Sequence, residues 1–299
     1  MTIRWSRATP QLALAPAATL TLVAFAGSIL WTVYVSLTRS RRLPDYAIDW
    51  SDPFRQYRRL FGDAAWTISL SNLFILALGS AIAIGFGFLL AAMIERERRG
   101  EDLFRTVFLY PLAVSLIVTG VAWRWIFNPQ LGLQGALHAI GLTWVDFDWL
   151  SNGDTAMYAI IIASIWQSSG FYMALMLAGL KGISDEIWNA ARLDGVPLWR
   201  VYVEVIIPMM KFTFLTCAIL LSLGVIKAYD IVVAMTNGGP GQSTWVPAYF
   251  TINAMTNRGN LGYASAAATM MLVLTLMVFL PLVLVTAWQQ RRARKGAAQ

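Results

Sequence analysis

The chain has 299 residues, 58% of them hydrophobic and only 13% charged, with a formal net charge of +7 and a mean hydropathy of +0.58. Soluble domains carry about 25% charged residues, so this composition excludes an ordinary water-soluble fold, and the basic excess reads as the Lys and Arg that membrane proteins keep on the cytoplasmic side rather than as a nucleic-acid footprint. With Cys217 the only cysteine and His138 the only histidine, an intrachain disulfide and a Cys/His metal cluster are also excluded.

In chain order, the first span is expected over residues 11–38, free of charge. Arg4 and Arg7 precede it, but the apolar run is too long for the core of a signal peptide and reads as an uncleaved span. A loop at 39–63 holds Pro44, Trp50 and Pro53, and a second span follows over 64–94, with Gly79, Gly85 and Gly87 suited to close helix contact. A charged turn at 95–105 leads to span three at 106–127, a loop at 128–154 and span four at 155–180. Beyond the charge-bearing stretch 181–208 come span five at 208–235, a loop at 236–260 and span six at 261–288. These runs meet the ~18–20 apolar residues needed to cross a bilayer, and they lack the short alternating segments of a β-barrel. The expected fold is an all-α polytopic bundle of six spans: an N-terminal part (1–63), a core (64–290) and a basic tail (291–299).

Six spans place both termini on one side. With the termini inside, the inner segments hold fourteen Lys and Arg, among them Arg96, Arg98, Arg99, Lys181, Arg200 and Arg291, against seven outside, which favours that orientation. In the first outer loop Asp45, Asp49, Asp52 and Asp63 offset much of the basic charge. The outer loops far exceed the ~2–8 residues that merely join bundle helices. Their aromatics, including Trp144, Phe147, Trp149, Trp245, Tyr249 and Phe250, fit either headgroup-level anchoring or a platform for an external partner.

The stretch 181–208 reads as helix, break, helix. Ser184 is a candidate N-cap, and Asp185 and Glu186 suit the positive end of a first turn. Gly195 suits the left-handed stop, and Pro197 the first turn of a following helix. Ile187, Ala190, Ala191 and Asp194 fall at i, i+3, i+4 and i+7, a small-residue stripe able to seat in a shallow groove. In span four, Ser164, Gln167, Ser168 and Phe171 share one face: hydrogen-bonding groups for hydroxyls and a ring for a sugar's C–H surface, or interhelical packing bonds. Lys227 and Asp230, i and i+3 on span five, form either a structural pair or a gate contact, and Arg124 is placed to snorkel to the outer interface.

From Asn189 the chain reads Asn189-Ala190-Ala191, then Asp194-Gly195, then Val205-x-Ile207-Pro208. This resembles the Glu-Ala-Ala…Gly…Ile-x-Leu-Pro signature of the permease subunits of binding-protein-dependent ABC importers, with Asn189 where that family usually has glutamate. Tyr229-Asp230 followed by Thr236-Asn-Gly238-Gly239-Pro240, and Trp123-Arg-Trp125-Ile-Phe-Asn128-Pro129, are similar to elements of the carbohydrate permeases. The resemblance spans about residues 64–288. It implies a type I importer permease of the bacterial inner membrane whose coupling loop is gripped through Glu186, Asn189, Ala190, Ala191, Asp194, Gly195 and Pro208. It further implies a homologous second permease, two cytoplasmic ABC ATPases that bind ATP and Mg, and an extracytoplasmic binding protein that delivers a sugar. The chain has no Gly-x-x-x-x-Gly-Lys-Ser/Thr phosphate loop, so it binds no cofactor of its own on this reading and energy arrives through a partner. A secondary transporter would instead show inverted repeats or midplane ion ligands, and a membrane-embedded enzyme a cluster of His, Cys or carboxylates within the spans. Asp230 alone supplies neither.

Overall fold

A computed structural model describes residues 9–48, 50–96, 100–144 and 148–296. Arg4, Arg7, Asp49, Arg98, Arg99 and Phe147, which enter the charge and aromatic readings, lie outside them, as do residues 297–299. Every regular element described is helical, apart from one antiparallel bridge between Thr38 and Ile48. Four helices are long and apolar enough to cross a membrane: Leu14–Ser36 within α1 (Thr9–Ser36), α3 (Ala64–Arg96), α7 (Ala156–Lys181), and Leu261–Leu280 within α14 (Leu261–Gly296). Two bent pairs among the described residues bring the number to six if each is one span: α4 (Glu101–Ala113) with α5 (Leu116–Ile126), turning 96°, and Leu198–Met209 with α11 (Lys211–Ile226), turning 71°. Short helices fill the connections: α2 (Arg55–Phe61), α6 (Leu133–Ala139), α8 (Asp185–Leu193), α12 (Asp230–Met235) and α13 (Pro247–Thr256).

The bends divide spans three and five, and both begin earlier than expected. Span three begins at Glu101, inside the expected charged turn, and stops after Pro111. Val114 is then extended (ψ 136°), and Ser115 restarts the chain as a true N-cap, its hydroxyl accepting from the Val118 N–H at 3.3 Å. Span five begins at Leu198, not at Pro208, as a short α-helical turn α9 (Leu198–Arg200), a π-helical turn (Val201–Ile206) and α10 (Ile207–Met209). Pro208 has no N–H and its ring opposes the carbonyl four residues back, so the turn before it widens into the π form and the axis breaks at Met210. α11 ends at Ile226, with Lys227 as its C-cap, so Lys227 and Asp230 do not share a helix. α14 runs past residue 288, so the basic tail begins as helix.

The chain divides into two compact units. One comprises Met1–Ala64 with Phe250–Leu274. Its core is fixed by Tyr263, fully buried, whose hydroxyl donates to Asp63 Oδ2 at 2.7 Å while Arg258 Nη1 meets the same oxygen at 2.9 Å. Arg59 lies over the Tyr263 ring at 4.7 Å. Gly262 is required here: a Cβ would sit 2.7 Å from the Thr38 carbonyl oxygen. The other unit comprises Ala65–Tyr249 with Thr275–Gln299, and α7 is its most buried span. α3 lies against α7 at Gly79 and Gly87, as expected of small residues at a helix contact. Gly85, grouped with them from sequence, faces open space.

Candidate functional site

The stretch after α7 folds as helix, stop and helix. α8 carries Asp185 and Glu186 in its first turn. Ser184 has the extended backbone of an N-cap (ψ 143°), but its hydroxyl makes no capping bond, so only the two carboxylates serve that helix end. The other end is a complete Schellman motif: Gly195 at φ +64°, its N–H to Arg192 O at 3.3 Å, and the Val196 N–H to Ala191 O at 3.1 Å. Trp188 turns inward and meets Tyr202 edge-on at 5.6 Å, and Ile187 and Ala191 are half-buried beside it. The outward face therefore starts one residue earlier than the expected stripe: Glu186, Asn189, Ala190 and Leu193, the last 88% exposed. Asp194 and Gly195 are also exposed, and Pro208 lies away from α8, on α10. At the foot of α7, Lys181 Nζ meets Glu101 Oε1 at 2.5 Å and Arg105 lies 3.6 Å from the same oxygen, tying α4 to the start of this stretch.

A second feature is a cavity of about 420 Å³ among α3, α5, α7, α11 and α12. Ser164, Gln167, Ser168, Lys227 and Asp230 all line it, so the structure brings five of the six span residues singled out from sequence to one space. Phe171 does not line it; Tyr172, one residue on and buried, does. Ser164 and Ser168 hydroxyls donate to the carbonyls of Ile160 (2.8 Å) and Ser164 (2.7 Å), which leaves their lone pairs free. Gln167 is committed at both ends: Nε2 donates to the Val114 carbonyl at 2.9 Å, and Oε1 accepts from the Thr119 hydroxyl at 2.5 Å. It thus satisfies the carbonyl that the break in span three exposes. Lys227 and Asp230 are exposed at the cavity and form no ion pair with each other. Thr119 and Ser80 gave no signal in the sequence, because each is a lone hydroxyl in an apolar run.

The Thr236–Pro240 turn explains its own residue pattern. The Thr236 hydroxyl pairs with that of Thr244 (2.8 Å), and Tyr249 donates to Asn237 O (2.7 Å). Burial, then the neighbouring Tyr229 phenol, raises the Tyr249 pKa, so this hydroxyl remains a donor. Gly238, at φ +83°, passes so close to Tyr249 that a Cβ would stand 2.6 Å from Cε1. Asn72 of α3 donates to Ser243 O at 2.7 Å and Trp245 O at 2.9 Å, clamping the following loop. Trp245, Tyr249 and Phe250 are buried, which corrects the headgroup-level reading for these three, whereas Trp144 is 81% exposed.

Residues 83–295 match a family model described as the binding-protein-dependent transport system inner membrane component. A probable ABC transporter permease of Pyrococcus horikoshii is 34% identical over 257 residues, covering 85% of this chain and 87% of the relative. A xylose/arabinose import permease of Haloferax volcanii is 33% identical over 239 residues, covering 80% and 74%. In fold the chain is similar to a chain of a bacterial alginate ABC transporter solved with a periplasmic protein bound to an alginate pentasaccharide. The TM-score is 0.79 at 17% identity, over 92% of this chain and 93% of the other.

Proposed function

This chain belongs to the family of binding-protein-dependent transport system inner membrane components, and from that premise we propose that it is the permease of an ATP-driven sugar importer. It pairs with a homologous permease and is driven by two cytoplasmic ABC ATPases that hold ATP and Mg. An extracytoplasmic binding protein delivers the sugar, and both termini and α8 lie in the cytoplasm. The observation that carries this reading is α8: a short helix with a firm stop, anchored inward by Trp188, that leaves Glu186, Asn189, Ala190 and Leu193 uncovered. Such a face suits a groove on another protein. Asp194 and Gly195 shape the stop beside that face, Ala191 seats the helix, and Pro208 sets the bend that follows.

The cavity is the candidate pathway. About 420 Å³ falls within the ~300–1,000 Å³ of small-molecule sites. Its walls are mainly apolar, with Ser164, Ser168, Lys227 and Asp230 offering donors and acceptors to hydroxyls. Gln167 acts there by holding the α4–α5 break in place, and Phe171 drops out of the pathway. Substrate class rests on relatives named for xylose/arabinose, diacetylchitobiose and trehalose/maltose, which points to a mono- or small oligosaccharide. The test is purification of the chain with its neighbouring subunits. Sugar plus binding protein should stimulate ATP hydrolysis by the complex, and absence of a co-purifying ATPase, or of stimulation, refutes the reading.

A further inference from the structure

The last turns of α3 and the Leu198–Met209 run face each other across an apolar groove of about 810 Å³. Leu89, Ala92 and Met93 form one wall, Trp199 and Val203 the other, and Phe88 meets Tyr202 edge-on at 6.0 Å where the walls join. Neither wall is covered by the described chain: Met93 is 60% and Trp199 64% exposed. Arg96 is the only charged residue among those lining the groove, and it forms no ion pair among the described residues. Arg200, close by, is already held by Glu204 at 3.2 Å. From Phe88 to Arg96 the helix rises about 12 Å, so the groove runs from a cationic mouth well into the hydrocarbon layer.

We propose that this groove binds an anionic phospholipid of the cytoplasmic leaflet, its phosphate on Arg96 and an acyl chain along Leu89, Met93 and Val203. The chemistry matches on each count. A sugar or polar metabolite needs hydrogen-bond partners, and these walls offer almost none. Free phosphate satisfies Arg96 but leaves the apolar walls wet. A zwitterionic headgroup brings an ammonium towards the guanidinium, whereas an anionic one brings none. Trp199 sits where indole rings favour the interface, and basic pockets between spans on the cytoplasmic side suit anionic headgroups. The sidedness rests on the cytoplasmic placement of α8 proposed above; the groove itself does not depend on the sugar assignment.

The experiment is native mass spectrometry of the chain in complex with its partner subunits, released from detergent after exposure to phosphatidylglycerol or phosphatidylcholine. Phosphatidylglycerol should be retained preferentially. Arg96→Gln, an exposed helix-end change, should weaken retention roughly five-fold, the worth of one basic residue at a membrane surface. Ala92→Phe, which fills the groove and leaves Arg96 intact, should abolish the preference, and excess inorganic phosphate should not displace the lipid. Equal retention of both lipids, displacement by phosphate, or unchanged retention in both variants overturns the proposal. So does a Met93→Cys thiol that becomes blocked to maleimide when partner subunits assemble without lipid, because a protein neighbour then fills the groove. ATP hydrolysis stimulated by sugar and binding protein, read on the same preparation, keeps failure here apart from failure of the permease assignment.

Discussion

Replacing Gln167 by leucine removes the side chain that satisfies the backbone where span three breaks. The amide makes two contacts across the α7–α4/α5 contact, Nε2 to Val114 O at 2.9 Å and Thr119 Oγ1 to Oε1 at 2.5 Å. Hydrogen bonds between membrane helices average ~0.6 kcal/mol and reach ~1.7, while a buried carbonyl left without a partner costs about 1–3 kcal/mol. Gln167→Leu should therefore destabilise by about 2–3 kcal/mol. Thr119→Val deletes only the second bond and should cost about 1 kcal/mol. Because the two changes share that bond, the double variant should fall short of their sum by roughly 1 kcal/mol. The assay is denaturant or thermal unfolding of the purified chain, run beside stimulated ATP hydrolysis of the complex. If Gln167→Leu costs no more than Thr119→Val, the amide does not hold the break and is free to serve substrate; an additive double variant would refute the Thr119 bond alone.

Leu193→Asp changes an exposed position, so stability should stay within ~0.5 kcal/mol while co-purification of the ATPase subunits falls sharply; normal assembly would remove Leu193 from the contact. Gly195→Asp meets open space but must adopt φ +64°, a strain of about 1 kcal/mol. It should abolish transport with insertion intact, and normal uptake would count against the role of the stop. Gly238→Ala combines φ +83° with a contact at 2.6 Å to Tyr249, so limited proteolysis should show the loop at 236–260 opened; wild-type resistance would contradict the packing. Tyr202→Phe removes a buried hydroxyl that has no partner among the described residues, and stability should hold or rise by about 1 kcal/mol. Tyr202→Ala deletes the ring contacts instead and should lower the melting temperature; the reverse order of the two would refute this.

The sequence was legible where one physical rule acts alone. Long uncharged runs fix four of the spans, and Gly195 between Leu193-Asp194 and Val196-Pro197 marks a helix stop that the chain realises as a full Schellman motif. It was less legible where two rules compete. On α8 the small-residue stripe is expected to face outward, but the Trp188 ring turns inward against Tyr202 and takes Ile187 and Ala191 with it, so the outward face shifts by one residue. Lys227 ends α11 without any Gly or Pro to announce it. Pro111 and Pro208 did announce the bent spans, but a proline within an apolar run is equally compatible with a straight helix whose neighbours satisfy the freed backbone. Of the face read in span four, Ser164, Gln167 and Ser168 line one cavity and Phe171 does not. What that face opposes belongs to residues about fifty positions earlier, Val114 and Thr119, and no local pattern encodes that.

Those bends give the proposed transport function a mechanical form. A push on the outer face of α8 meets Trp188, which rests on Tyr202 at 5.6 Å; Tyr202 rests on Phe88 of α3 at 6.0 Å, and Phe88 on Phe214 of α11 at 5.3 Å. Rings in contact resist compression, so displacement at the loop is delivered to α3 and α11 together. α11 is set off at 71° from the Leu198–Met209 run by the break at Met210, and its far end carries Lys227 at the cavity. A straight span would respond by sliding along its axis against the bilayer. A bent one can instead rotate about its break, and any such rotation displaces Lys227, just beyond the far end of α11, relative to the cavity. The same reasoning gives Gln167 its place: it lines that cavity and also holds the other break through the Val114 carbonyl.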